Sequence, residues 1–108
     1  MDKEVMKGSI DILLLSIIEQ QDIYGYKIIQ HLRKKSNDAY RMSQGTLYPA
    51  LQRLEKKGWI TSYWGEAETG ARRKFYCITE NGKKELDKKL KSWQQISYLI
   101  QCCKGGFA

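Results

Sequence analysis

The chain carries one histidine, one proline and three cysteines in 108 residues, and each scarcity removes a class of chemistry. His31 has no Cys, Asp or second His at ligand spacing, so it reads as a surface or satisfied side chain and no metal is implied. No Ser-His-Asp constellation and no Gly-rich phosphate loop before a helix is present, and the reading is of a protein that is not an enzyme and uses no cofactor. Cys77, Cys102 and Cys103 make an odd count without a Cys-x-x-Cys pair. Two adjacent thiols do not staple a loop, which fits a reducing compartment. Long apolar runs are missing too: Ile10–Ile18 is interrupted by Asp11 and Ser16, well short of the ~18 residues a membrane span needs. Met1-Asp2-Lys3-Glu4 does not open a secretory signal, so the expected location is cytoplasmic. With no repeats, no low-complexity tract and no separating linker, the expectation is one small domain around a single core.

What the chain has in excess is positive charge, in two blocks. Nineteen Lys and Arg against 12 Asp and Glu leave a net charge of +7. Residues 27–57 hold eight basic and two acidic side chains, and residues 72–91 hold eight and three, whereas 1–26 and 58–71 are net acidic. Two separated basic segments point to a polyanion contacted twice. The plainer reading is solvated lysine on helix surfaces.

Ser9 stands where it would cap a first helix, whose Ile10, Leu13, Leu14, Ile17 and Ile18 recur at helical spacing, with Ile12 and Leu15 widening the stripe. So broad an apolar surface predicts the buried centre of the domain, or a face toward a second subunit. A second helix is expected from Tyr24 to about Lys35, burying Ile28, Ile29 and Leu32. Gly25 suits a close approach of two helices, and Tyr26 reads as packing between them at least as readily as a contact. A third helix runs from Ser43 toward Gly58 with Leu47, Leu51 and Leu54 inward. Its start has two readings. With Thr46 as N-cap, Pro49 falls in the first turn; with Ser43 as cap, Pro49 lies deeper and leaves the Gly45 carbonyl unpaired.

Trp59–Trp64 and Arg72–Ile78 are expected as the strands of a hairpin, with Tyr76 and Ile78 inward and a basic returning limb. Thr79 followed by Glu80 opens a last helix to about Cys103, ahead of a frayed tail from Gly105 to Ala108. Leu86, Leu90, Trp93, Ile96 or Ser97, and Ile100 recur near the 3.5-residue seam of paired helices. The expected partner is a second copy, with Leu86, Leu90, Trp93, Ile96 and Ile100 as dimer interface, and the first helix and Val5-Met6 packed on it.

This order predicts a mainly α fold with a small β-hairpin: a winged helix-turn-helix over residues 1–78 and a C-terminal dimerisation helix with a short tail over 79–108. Such a domain sets its third helix in the major groove of double-stranded DNA, where small donors and acceptors plus Arg read base edges. Ser43, Gln44, Thr46, Gln52 and Arg53 supply that chemistry, and Arg72, Arg73 and Lys74 on the wing suit phosphates. The bland readings are an edge strand guarded by charge and ordinary capping at Ser43–Thr46. The competing function is a dimeric small-molecule-binding or protein-interaction winged helix without specific DNA binding.

Lys7-Gly8, Tyr24-Gly25-Tyr26, Gly45-Thr46-Leu47-Tyr48-Pro49-Ala50-Leu51 with Arg53-Leu54-Glu55, Arg72-Arg73-Lys74-Phe75-Tyr76 and Ile78-Thr79-Glu80-Asn81-Gly82 resemble the PadR transcriptional regulators. Ala71 and Cys77 are mild departures, standing where a second glycine and a polar or basic residue are frequent. The resemblance implies a dimeric winged-helix repressor, bound to a palindromic operator and released by a small effector. The short last segment is similar to the small subfamily with one C-terminal helix. Carried over by position, recognition-helix contacts fall on Ser43, Gln44, Thr46, Tyr48 and Arg53, and wing contacts on Arg72, Arg73 and Lys74. In the multidrug-sensing members that the chain resembles, a tryptophan of this helix stacks on planar aromatic ligands, and Trp93 takes that position. Ile12, Val5, Leu90 and Ser97 are the lining candidates, and a closed dimer core around Trp93 is the competing reading. No carboxylate lies within a turn of Trp93, so the helix carries no marked preference for cations.

Overall fold

The computed structural model describes residues 3–106. A short helix α1 (Lys3–Lys7), not anticipated from the sequence, leads into α2 (Ile10–Gln20). The broad apolar surface of α2 puts it at the centre. Leu14, Leu15 and Ile18 are buried, and Ile10, Ile12, Leu13 and Ile17 pack against the same core. Ser9 holds the N-cap position, but its side chain does not cap. Its hydroxyl donates back to the Val5 carbonyl at 3.3 Å, because the chain arrives from another helix whose last carbonyls need donors.

Ile23–Tyr24 form β1, a strand that the sequence reading missed. Two residues show no alternation, so no periodicity could reveal them; they are a strand only because a partner is there. α3 (Gly25–Lys35) follows directly, with Ile28 and Leu32 buried and Ile29 packed at the core margin. Arg33, Lys34 and Lys35 in its last turn suit the negative end of the helix dipole. The chain then reverses through Asn37 and Asp38, both at positive φ, the residue types that best tolerate it after glycine.

α4 (Gln44–Lys56) resolves the ambiguity of its own start: Ser43 is the N-cap, its Oγ accepting the Thr46 N–H at 3.2 Å. Pro49 therefore lies inside the helix, where it has no N–H to offer the Gly45 carbonyl. Leu47, Ala50, Leu51 and Leu54 form the buried face. Gly58, at φ +77, ends the helix and turns the chain into β2 (Ile60–Glu66). β2 and β3 (Arg72–Ile78) pair antiparallel from Ile60 opposite Ile78 to Glu66 opposite Arg72. The expected hairpin is a three-stranded sheet in the order β1-β3-β2, with Ile23 opposite Tyr76 and Tyr24 opposite Phe75.

Thr79 caps α5 (Glu80–Lys104), accepting the Gly82 N–H at 2.9 Å and donating to the Gly58 carbonyl at 2.7 Å. A Cβ at Gly82 would collide with the Trp59 carbonyl, so glycine lets α5 start against the junction of α4 and β2. Leu86 closes the core at 1% exposure and Leu90 packs at its edge. Beyond Leu90 none of the described helix residues is buried. The molecule accordingly spans 60 Å along its long axis. Its radius of gyration is 15.9 Å, against about 13 Å for a compact chain of this length. Gly105 is the C-cap of α5, and Phe107 and Ala108 of the expected frayed tail lie outside the described residues. The architecture is a winged helix-turn-helix with a long projecting C-terminal helix.

Candidate nucleic-acid interface

At 3.6 residues per turn, α4 presents its leucines to the core and two polar flanks to either side. Gln44, Tyr48 and Gln52, four residues apart, form a ridge on the flank toward the wing; Thr46 and Arg53 fall on the opposite one. The ridge and the exposed start of β3, Arg72-Arg73-Lys74, line one open cleft of about 520 Å³. Six of the nine positions singled out for DNA thus meet on a single face: Gln44, Tyr48, Gln52, Arg72, Arg73 and Lys74.

Aromatic side chains complete the rim. Tyr24, Tyr26 and Trp64 line the same cleft, and the sequence reading assigned none of them to it. Tyr26 is 55% exposed, which goes against packing between helices, one of its two readings. The signal for it was the Tyr24-Gly25-Tyr26 triplet at the start of α3, of which Tyr24 is buried and Tyr26 exposed, both lining the cleft. A Cβ at Gly25 would lie 2.5 Å from the Tyr48 Oη and 2.9 Å from its ring. Gly25 thus admits the Tyr48 ring of α4 against the start of α3, the close approach of two helices that its position suggested. Tyr76 is buried and Ile78 packs on the core, both inward as the alternation predicted.

The cations of the cleft differ in how far they are neutralised. Among the described residues Arg72 and Arg73 form no salt bridge, although the Arg73 guanidinium lies 6.0 Å from the centre of the Tyr24 ring. Lys74 Nζ is 3.9 Å from Glu55 Oε1 and 5.8 Å from the Tyr76 ring. Glu55 also accepts the Ser62 hydroxyl at 2.6 Å, joining the end of α4 to β2. Burial, with the nearby Glu55 charge, raises the Tyr76 phenol above its ordinary pKa. Among the described residues, Arg72 and Arg73 are therefore the cations of the cleft without a carboxylate partner, whereas Lys74 has Glu55.

Three positions fall elsewhere. Ser43 and Thr46 are tied to each other, Ser43 Oγ donating to Thr46 Oγ1 at 3.2 Å, and they border a separate groove beside α1 with Arg41 and Met42. Arg53 is ion-paired with Asp11 of α2 and so is held away from the cleft. Its flank of α4 packs beside α2, and the mostly buried Asp11 carboxylate fixes the guanidinium there.

Arg53 and Asp11 instead border a groove of about 440 Å³ between α2 and α5, where Ile12, Trp93 and Ile96 supply apolar surface. Of the effector set only Trp93 and Ile12 line it. Val5 is exposed on α1, Leu90 packs on the core, and Ser97 lies farther along α5. Packing also brings Asp11 of α2 into this groove beside Glu85, Lys88 and Lys89 of α5, a carboxylate that the sequence of α5 around Trp93 does not disclose. Leu86, expected in a dimer interface, is enclosed within its own protomer. Among the described residues no group of three or more His, Cys, Asp or Glu is arranged to hold a metal ion. Among the described residues no helix is long and apolar enough to cross a membrane.

Comparison with known proteins agrees with this geometry. The model of the transcriptional regulator PadR-like family matches residues 14–88. A transcriptional regulator from Clostridium thermocellum superposes with a TM-score of 0.83 at 39% identity, over 92% of this chain and 96% of that one. A PadR-like transcriptional regulator from Bacillus cereus gives 0.84 at 30% identity, over 97% and 100%. The negative transcriptional regulator PadR of Bacillus subtilis is 26% identical over 73 residues, 68% of this chain but only 40% of that longer protein. With the family matched from α2 into α5 and the winged-helix fold in common, the chain belongs to the PadR-like family of transcriptional regulators, which act by binding DNA and not by catalysis.

Proposed function

We propose that this protein is a homodimeric repressor that grips a palindromic operator with the α4–wing face of each protomer and lets go when a small planar ligand enters the groove at Trp93. The observation that carries the reading is the shared cleft: two amides and a tyrosine hydroxyl on α4 face three wing cations across one concave surface. Amides suit adenine edges and the cations suit phosphates, which divides the work between reading and holding. Gln44 and Gln52 are the base readers, Tyr48 and Arg72–Lys74 the phosphate contacts, and Ser43 acts as cap. Repression follows the name of the Bacillus subtilis relative.

The test is DNA affinity against salt concentration. Each neutralised phosphate contributes a log–log slope of about −0.9, so Arg72→Ala weakens all sequences alike and flattens the slope by about 1. Gln44→Ala and Gln52→Ala cost about 1–3 kcal/mol on the preferred site and little on random DNA. The second reading, a dimeric ligand-binding module without specific DNA binding, is favoured by the exposed Trp93 in its groove. A flat salt response together with Trp93-dependent ligand quenching would decide for it.

A further inference from the structure

Two tyrosines connect the wing to the corner between α2 and α3, each reaching a carboxylate on the other element. Tyr24, in the corner, donates its hydroxyl to Glu68 Oε2 in the wing turn at 3.3 Å. Tyr63, on β2 of the wing, donates to Asp22 Oδ2 in the corner at 2.7 Å. Phe75 of β3 lies between them, edge-on to Tyr24 at 5.3 Å and stacked on Tyr63 at 5.6 Å between ring centres. Lys27 of α3 adds an ion pair to Glu68 at 3.4 Å. The wing turn is folded back, with Ala67 buried and its N–H bonded to the Ala71 carbonyl at 2.8 Å.

A two-stranded ribbon carrying three cations near its end is marginally stable alone and free to pivot at its base. β1 restrains it only at the level of Phe75 and Tyr76. The outer part, where Arg72 and Arg73 sit, depends on side chains for its direction. We infer that the hydroxyls of Tyr24 and Tyr63 are positioning groups for DNA binding, holding the wing at the angle that presents Arg72 and Arg73 to phosphate beside the groove occupied by α4. This rests on the phosphate-contacting role proposed for the wing. Neither hydroxyl touches DNA; each acts by fixing the arm that does, so that its orientation is set before the complex forms.

Tyr→Phe substitution tests this without altering any charge. The full chain is titrated with a labelled random-sequence duplex over a range of salt, at a temperature where circular dichroism shows each variant folded. Tyr63→Phe, at a half-exposed position, and Tyr24→Phe/Tyr63→Phe should each weaken binding, and the double variant should lose about one phosphate's worth of slope, ~0.9. In an Arg72→Ala/Arg73→Ala background the same tyrosine changes should have no further effect, because the groups they position are gone. A role confined to stability would move the melting temperature and leave the slope alone. An unchanged slope in both tyrosine variants, or an undiminished effect in the arginine-free background, overturns the inference while leaving the wing's phosphate role intact. If Arg72→Ala/Arg73→Ala itself leaves the slope unchanged, the phosphate role fails and the positioning role with it.

Discussion

Gly82 shows how much one missing carbon controls. Its N–H completes the Thr79 cap, and the place its Cβ would occupy is filled by the Trp59 backbone carbonyl, which cannot rotate away. Gly82→Ala forces α5 off the end of α4, and a loss of about 1–3 kcal/mol is expected in denaturant or thermal unfolding. Asp38 is a different kind of position. Hydrogen bonds from Arg41 and then Arg33 hold its carboxyl below the ordinary carboxylate pKa, and its backbone lies at positive φ. A depressed folded-state pKa stabilises above the unfolded value and is lost as pH falls through the folded one. Asp38→Asn keeps a residue that tolerates the backbone but removes the charge. The variant's melting temperature should therefore fall less than the parent's as pH drops below the usual carboxylate range.

Among the elements, α4 carries the most information and also the most tension. Its inward leucines and its terminating glycine follow local rules and were readable in advance, whereas its cap stood open between Ser43 and Thr46. Pro49 does not suit the interior of a helix, where it offers no N–H for the usual bond to the Gly45 carbonyl. Pro49→Ala restores that bond, and a rise in stability of about 1–3 kcal/mol should appear as a higher melting temperature. The flanks of α4 were harder. Spacing puts Gln52 and Arg53 next to each other in the chain but about 100° apart around the axis, on sides that meet different neighbours. Arg53 was therefore readable as a groove contact until Asp11 came beside it from 42 positions away. β1 was unreadable for the same reason, since a two-residue strand is defined by its partner alone.

The whole molecule leaves α5 unfinished. Trp93, Ile96 and Ile100 share a stripe and are 56%, 60% and 52% exposed, with Leu99 close beside them. An apolar row of this length standing clear of its own core suits a helix that packs on another and supports the proposed dimer. In the proposed dimer this row meets its copy, and two recognition helices are carried at a distance set by α5. Ile96→Lys should shift sedimentation from dimer to monomer at micromolar concentration with circular dichroism little changed, and DNA affinity should fall with the lost second contact. A parent protein that sediments as monomer would remove the proposal.

Short-range chemistry is written directly into this chain. The cap of the last helix, the glycine that ends α4, the hairpin, the leucine faces and the basic triplet each depend on neighbours within about one or two turns, so composition and spacing suffice to read them. The family motifs, being continuous stretches, were legible on the same terms. Which polar side chains face which cleft is another matter. Arg53 turned toward Asp11, Tyr48 into the space at Gly25, and Tyr63 to Asp22 because of elements that arrive from far along the sequence. A residue's own spacing gives its angle on a helix or its face on a strand, but the charge or ring waiting at that angle belongs to another segment. Contact across the fold alone supplies it.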